Sequence, residues 1–271
     1  MNKVAVALSI YKSDTIECLQ EAINSILKQT YRNFDLYIEV DGKVDNNILN
    51  YLEILECNEN VFIDYHSENK GLAFRLNQII DTVVNKGGYK FIARMDADDI
   101  SHVNRFEEQV SFLLENDFID VIGSDIIEID EYGNEVFYKK MEKDFDKIKH
   151  NIIKKCPFNH PSVMFKIEIF NEGFRYDPKL INTQDYYLWI DLLSSGKVFS
   201  NINKPLLKFR VNESFHSRRG IKKAINDVKS RLYAFEKLGV INLGNILHVV
   251  NLFILRVSPP KIKKIAYKYL R

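Results

Sequence analysis

The chain opens on "VAVALSIY" (Val4 to Tyr11), a run with no charge and no helical periodicity. A continuous apolar run of this length predicts a strand buried on both faces. The next segment changes period. Ile16, Leu19, Ile23, Ile26 and Leu27 recur at helical spacing behind Ser13, Asp14 and Thr15, any of which can cap a helix. "FDLYIEVDG" (Phe34 to Gly42) predicts a second strand, stopped by Asp41-Gly42. A helix through "NNILNYLEILE", a strand "VFIDYH", a helix "GLAFRLNQIIDTVVN" and a strand "YKFIARMD" follow. Strands alternating with helices imply βαβ units and an α/β class with a mostly parallel sheet flanked by helices. After Asp99 the rhythm breaks. "NRFEEQVSFLLEN" predicts a helix, "DVIGSDIIEIDEYGNEVFYKK" two strands around a turn at Tyr132 to Asn134, and "HPSVMF…TQDYYLWIDLLSSG…PLLKFRV" a mixture. From Ile221 onward the pattern is helical, interrupted at Ser258-Pro259-Pro260.

The candidate chemistry sits where the fourth strand ends, in "KFIARMDADDIS". Asp96, Asp98 and Asp99 lie within four positions, and carboxylates so close resist ionising together unless a cation offsets them. In a parallel α/β sheet ligands bind beyond the carboxyl ends of the strands, and Asp41 ends the second strand on that same rim. Oxygen ligands suit a hard divalent cation. A calcium loop is excluded: Asp96, Asp98 and Glu107 fall at positions 1, 3 and 12 of its template, but Ser101 stands where the turn demands glycine.

Charge adds one asymmetry to a near-neutral chain. Residues 217–271 hold 13 Lys/Arg against 2 Asp/Glu, leaving 25 against 35 in the first 216. A basic tail suits an anionic surface. The acidic body and the lack of a recognition motif argue against a nucleic-acid partner. Cys18, Cys57 and Cys156 are widely spaced and form neither a zinc motif nor a disulfide framework, which suits a reducing compartment. "MNKVAVALSIYKSD" lacks a cleavage pattern, and no stretch reaches the ~18 apolar residues of a membrane span. A cytoplasmic protein, peripheral on the inner face of the plasma membrane, is expected.

Six segments in order, "VALSIYKSD", "SILKQTYRNFDLYIEVDG", "NKGLAFRLNQII", "ARMDADDIS", "HPSVMF" and "TQDYYLW", resemble the family-2 glycosyltransferases, which have the nucleotide-binding fold called GT-A. The match runs from Val4 to about Val211. It implies a GT-A domain over 1–215, with a nucleotide-sugar half over about 1–100 and an acceptor half over about 101–215. A basic helical tail, 216–271, completes the chain. Such enzymes move a sugar from a nucleotide diphosphate to an acceptor hydroxyl. By the resemblance, Asp96 contacts the ribose, and Asp98 with Asp96 ligates Mn²⁺ or Mg²⁺ at the diphosphate. Asp99 is a supporting partner or, preferably, the cap of the next helix. Asp41 meets the base or ribose, with Ser9 and Tyr11 lining the same pocket and Asn69 and Gly71 shaping its wall. Asp185 is the general base that makes the reaction inverting. His160 and Trp189 face the acceptor. UDP is the family-level expectation for the nucleotide, and a polyprenyl-diphosphate-linked glycan of O-antigen or capsule assembly for the acceptor.

There are departures from the family pattern. Lys12 replaces a common Asn, Gln184 a common acidic residue, and Asn212 the His of "YRxH", leaving His216 as a candidate for the metal site. The tail adds a partner. Asn245, His248 and Asn251 make a narrow polar stripe along Ile241 to Val257, and "KIKKIAYKYLR" is a basic amphipathic segment. Residues 241–271 are therefore expected to meet an anionic membrane surface. The alternatives are a polyprenyl-phosphate sugar synthase, whose donor half would look alike, and a non-catalytic binding module of the same fold. A sugar-phosphate nucleotidyltransferase is rejected, because "SIYKSDTIE" has no phosphate-cradling glycine.

Overall fold

The computed structural model describes residues 2–180, 182–211 and 221–258. Four strands form the parallel half of one sheet: β1 (Lys3–Tyr11), β2 (Phe34–Asp41), β3 (Val61–His66) and β4 (Tyr89–Met95), in spatial order β3-β2-β1-β4. Helices α1 (Ile16–Leu27), α2 (Asn46–Leu55) and α3 (Leu72–Lys86) make the crossovers. The opening run is uncharged because both its faces are covered. Val4, Val6, Leu8 and Ile10 join Leu19, Ile23 and Ile26 of α1 in one core, while Ala5 and Ala7 join Leu76, Ile79 and Val83 of α3 in the other.

Beyond β4 the sheet is mixed. The short β8 (Met164–Lys166) runs antiparallel between β4 and β6 (Val121–Ile129). β9 (Phe199–Arg210) lies parallel to β6 and carries β5 (Ile100–Ser101) antiparallel on its far side. β7 (Glu135–Lys139) hairpins onto β6. Helices α4 (Arg105–Glu115), α5 (Phe145–Asn151), α6 (Glu168–Asn171) and α7 (Gln184–Ser194) cover this half. The chain then forms α8 (Ile221–Leu238) and α9 (Leu243–Val257). These run antiparallel, closed at their open end by the Arg256–Asp227 ion pair at 2.8 Å. Asn212, His216 and the lysines after Pro260 lie outside the described residues.

The register puts all four parallel strand ends on one rim. Tyr11 pairs with Asp41, Asp41 with His66, and Leu8 with Met95. The carboxylates that follow Met95 therefore share an edge with Asp41 and Tyr11.

Candidate active site

On the β2 side of the rim, Asp41 is 3 % exposed, and its carboxylate is turned inward. Oδ1 accepts from the Lys70 N–H at 2.8 Å and from Nε of buried Arg75 at 2.6 Å; Oδ2 accepts from the Gly71 N–H at 2.8 Å. These bonds hold the 69–71 wall in place. Asn69 completes the wall by donating to the Asp41 carbonyl at 3.1 Å. Gly71 takes φ +87°, a left-handed value that favours glycine. Gly42 has the same φ, and a Cβ there would come within 3.1 Å of the Asn69 nitrogen. A cleft of about 150 Å³ lies just outside, lined by His66, Lys70, Phe74 and Arg75. At the end of β1, Ser9 is half-buried and Tyr11 exposed. The Tyr11 N–H donates to Asp14 Oδ2 at 2.8 Å, while Thr15 is the residue that caps α1.

The three aspartates do converge: one oxygen from each of Asp96, Asp98 and Asp99 lies within 4.8 Å of the others. Asp99 is wholly buried, accepts from the Arg210 N–H at 2.9 Å through Oδ1, and has no hydrogen-bond partner at Oδ2 among the described residues. Its expected capping role is corrected, since β5 follows it and α4 begins only at Arg105, behind Asn104. Burial, then the charge of Asp96, pushes Asp98 up to about 6. Asp99 is raised well above the usual range by burial and by both neighbours. Asp14 belongs to the same field. Burial, with the charges of Asp98 and Asp96, lifts it to about 7 against the pull of the Tyr11 N–H. A hard oxygen set with one buried, unpartnered oxygen and raised pKa values fits a divalent cation, which would relieve both conditions.

Two buried arginines tie this loop to the opposite side of the cleft. Arg94 pairs with Asp96, and its Nε and Nη1 have no partner among the described residues. Arg105 Nη2 donates to the Arg94 carbonyl at 2.9 Å, and Gln109 Nε2 to the Ser162 carbonyl at 2.8 Å. Ser162 ends the 3₁₀ turn that begins at His160. His160 Nε2 meets the Tyr176 hydroxyl at 2.8 Å, and enclosure, helped by Arg94, pushes its pKa well below the usual range, so the ring is neutral. Tyr176 is anchored to α3 by paired bonds with the Asn77 side chain at 2.8 and 3.0 Å. Its hydroxyl feels Arg94, Asp185 and Asp96 together, which places it at the junction of the two sides.

Asp185 occupies the first turn of α7, preceded by Thr183 at φ +77°. Burial raises its pKa, partly offset by the backbone N–H groups of the helix start and by the charges of Arg231 and Lys223. Trp189 is a correction. It is 0 % exposed, stacked on Phe165 with centroids 5.5 Å apart and edge-on to Phe158 at 5.0 Å, so it offers an acceptor no surface. Instead its ring backs His160 at 6.1 Å.

Arg75, Arg94, Arg210, Tyr176 and Asp14 were missed as site residues. Two left a signal. Arg75 interrupts the buried face of "LAFRLNQII", and Arg94 interrupts a buried strand, and a charge in either place needs a partner.

A parallel half-sheet whose strand ends converge on a carboxylate cluster, beside a mixed half carrying an enclosed histidine and an aspartate at a helix start, defines the class as the GT-A fold of nucleotide-sugar transferases. The chain belongs to glycosyl transferase family 2, whose profile matches residues 6–174. It is 29 % identical over 270 residues to an Escherichia coli enzyme described as UDP-Gal:alpha-D-GlcNAc-diphosphoundecaprenol beta-1,3-galactosyltransferase, covering 98 % of this chain and 95 % of that one. It is 30 % identical over 219 residues to the Escherichia coli O-antigen biosynthesis glycosyltransferase WbnJ, covering 78 % and 81 %. Among solved structures it resembles the mannosyltransferase PcManGT from Pyrobaculum calidifontis, in complex with GDP-Man and Mn²⁺. The TM-score is 0.61, with 13 % identity over 99 % of this chain and 79 % of that one.

Proposed function

We propose that the protein transfers a sugar from a UDP-sugar to a hydroxyl of a polyprenyl-diphosphate-linked glycan, with inversion, during bacterial surface-polysaccharide assembly. The reading rests above all on the carboxylate cluster at the strand ends, with the unpartnered Oδ2 of Asp99 behind it. The UDP-Gal donor and diphosphoundecaprenol acceptor of the Escherichia coli relative support the choice of nucleotide and lipid. The O-antigen role of the second relative supports the pathway class.

On this reading Ser9 and Tyr11 line the nucleotide pocket, and Asn69 and Gly71, braced by Asp41 and Arg75, form its wall. Asp96 meets the ribose, and Asp98 with Asp96 would hold Mn²⁺ or Mg²⁺. The bound cation would supply Lewis-acid stabilisation of the charge growing on the departing diphosphate. Arg94 pairs with Asp96 and orients it. Asp185 takes the proton from the attacking acceptor hydroxyl, and a carboxylate whose pKa burial has raised is a better base for that purpose. One base and one displacement on the face opposite the nucleotide invert the anomeric carbon. Neutral His160, held by Tyr176, borders the acceptor side and donates or accepts one hydrogen bond there. The acceptor's lipid would keep the reaction at the cytoplasmic face of the membrane.

The test is calorimetric titration of UDP into the protein with Mn²⁺ and with chelator, beside Asp98→Ala. Binding that needs Mn²⁺ and disappears in Asp98→Ala is expected. Equal binding in chelator would remove the metal from the reading, and a preference for GDP or dTDP would replace the donor.

A further inference from the structure

α9 wears its apolar face outward. Leu243, Leu247, Val250 and Ile254 are 73, 54, 50 and 54 % exposed, and Ile246, Phe253 and Val257 are exposed beside them. At the ~100° per residue of an α-helix these seven fall within one arc of about 120°. The opposite side packs. Asn245 is 4 % exposed and donates to the Val240 carbonyl at 2.8 Å, Val249 is 7 % exposed, and Arg256 reaches Asp227 at 2.8 Å. The three polar positions of the sequence do not share one environment: Asn245 is locked inward, His248 is half-buried and Asn251 is exposed, while Leu, Ile, Val and Phe face out. That inverts the pattern of a helix on a water-soluble surface, and a contiguous apolar stripe of this kind marks an interaction face.

We propose that α9 docks on an anionic bilayer, lying in the interface with the Leu243–Val257 stripe among the lipid chains. The purpose rests on the lipid-linked acceptor proposed above; the geometry does not. Two features select lipid over a second copy of the chain. Residues 259–271, which follow α9 directly, carry five Lys/Arg and no acid, and residues 217–271 together hold 13 basic side chains against 2 acidic. Apposing two such tails would repel, whereas anionic headgroups attract both. In addition, α9 has 15 residues, about 22 Å of helix, short of the ~30 Å hydrocarbon core. No described helix is long and apolar enough to cross a membrane, which leaves the in-plane geometry.

The docking plane is fixed to the candidate base. α9 packs on α8, and α8 on α7: Tyr233 donates to Asp191 at 2.5 Å, and the Arg231 guanidinium sits 4.0 Å over the Tyr186 ring, next to Asp185. A bilayer seated on α9 would therefore stand at a set orientation to the acceptor side.

The experiment is co-sedimentation of the full chain with phosphatidylethanolamine–phosphatidylglycerol vesicles. Leu247→Glu combined with Ile254→Glu is expected to weaken partitioning roughly tenfold or more, about 1.4 kcal/mol per decade. Ile54→Glu, at an apolar position 69 % exposed on α2, is expected to change nothing. Far-UV circular dichroism checks that each variant is folded. A Val250→Trp reporter, in a chain whose single native Trp is buried, should shift its emission to shorter wavelength on vesicle addition. Wild-type partitioning in the double variant would overturn the proposal in favour of the basic tail alone. A wild-type dimer that the double variant abolishes, with no spectral shift, would assign the stripe to a second copy and overturn it too. Transfer to a water-soluble, short-chain acceptor analogue, measured in parallel, separates the two readings. Its absence in wild type sinks the proposed function and leaves the vesicle result standing.

Discussion

Arg75 offers the sharpest test of how the 69–71 wall, proposed above to face the nucleotide, is built. The residue is 2 % exposed and its guanidinium makes three short bonds: Nε to Asp41 Oδ1, Nη1 to Gln78 Oε1 and Nη2 to the Glu68 carbonyl, each 2.6 Å. Arg75→Met keeps most of the volume and removes the charge. Breaking a buried ion pair by deleting one partner costs about 3–5 kcal/mol, because the other charge is left uncompensated. Asp41 would retain the N–H groups of Lys70 and Gly71, both at 2.8 Å, so the lower end, about 3 kcal/mol, is expected. With a urea slope near ~3 kcal/mol/M for a chain of this size, the unfolding midpoint should fall by about 1 M. On the proposed reading UDP affinity should fall by about tenfold, since the Asp41 carboxylate that holds Lys70 and Gly71 loses the arginine that fixes it. Pairing Arg75→Met with Asp41→Leu should cost less than the sum of the two singles, with a coupling of about 2 kcal/mol. A stable Arg75→Met, within ~0.5 kcal/mol of wild type, or strictly additive singles, would refute the buried pair as the organiser of the wall.

Three further outcomes are expected. Asp185→Asn should lower kcat by about 10²–10⁴ with unchanged UDP affinity; an equal loss of both would mean a structural role. Asp98 and Asp14 are raised in the folded protein to about 6 and about 7, so their contribution to stability is present below the unfolded value near 3.8 and is lost as pH rises through 6 to 7. In chelator the Tm should fall across that window and Mn²⁺ should flatten the fall; a pH-independent Tm in chelator would contradict the crowding of the cluster. Gly123→Ala should destabilise by about 1–3 kcal/mol, because a Cβ would sit 2.3 Å from Asn201 Oδ1 and 2.6 Å from Phe158 Cδ1; an unfolding curve identical to wild type would show that Phe158 yields freely.

Elements set by local pattern were legible in the chain. The two-faced run of β1, the periodicity of α1 and α3, and the carboxylates after β4 all declare themselves within a few residues. What the sequence hid depends on partners far away. The bracing of Asp41 by Arg75 was hidden because the partner is 34 residues off, and Asp99 looked like a cap because the Arg210 N–H it accepts is 111 residues off. Trp189 shared a motif with Asp185, and only the surrounding aromatic cluster shows it to be core. The spacing of Asn245, His248 and Asn251 suggested one polar stripe, but α9 buries Asn245, half-buries His248 and exposes Asn251. Helical periodicity reports a face and leaves its direction to tertiary packing.

The place of β8 and β9 in the sheet carries a consequence for biosynthesis. β4 finds its second neighbour only when residues 164–166 arrive, and the Asp98–Asp99 loop is clamped only when Arg210 reaches it, bonding the Asp98 carbonyl at 3.0 Å and the Asp99 carboxylate at 2.9 Å. Emerging from the ribosome, the first hundred residues can pair their parallel strands but leave one edge of β4 open. Long-range closures of this kind are slow, because the loop entropy is lost before the contacts form. The carboxylates proposed to hold the cation are thus among the last groups to be set, and a nascent chain halted short of Arg210 carries the acidic motif without the Arg210 clamp.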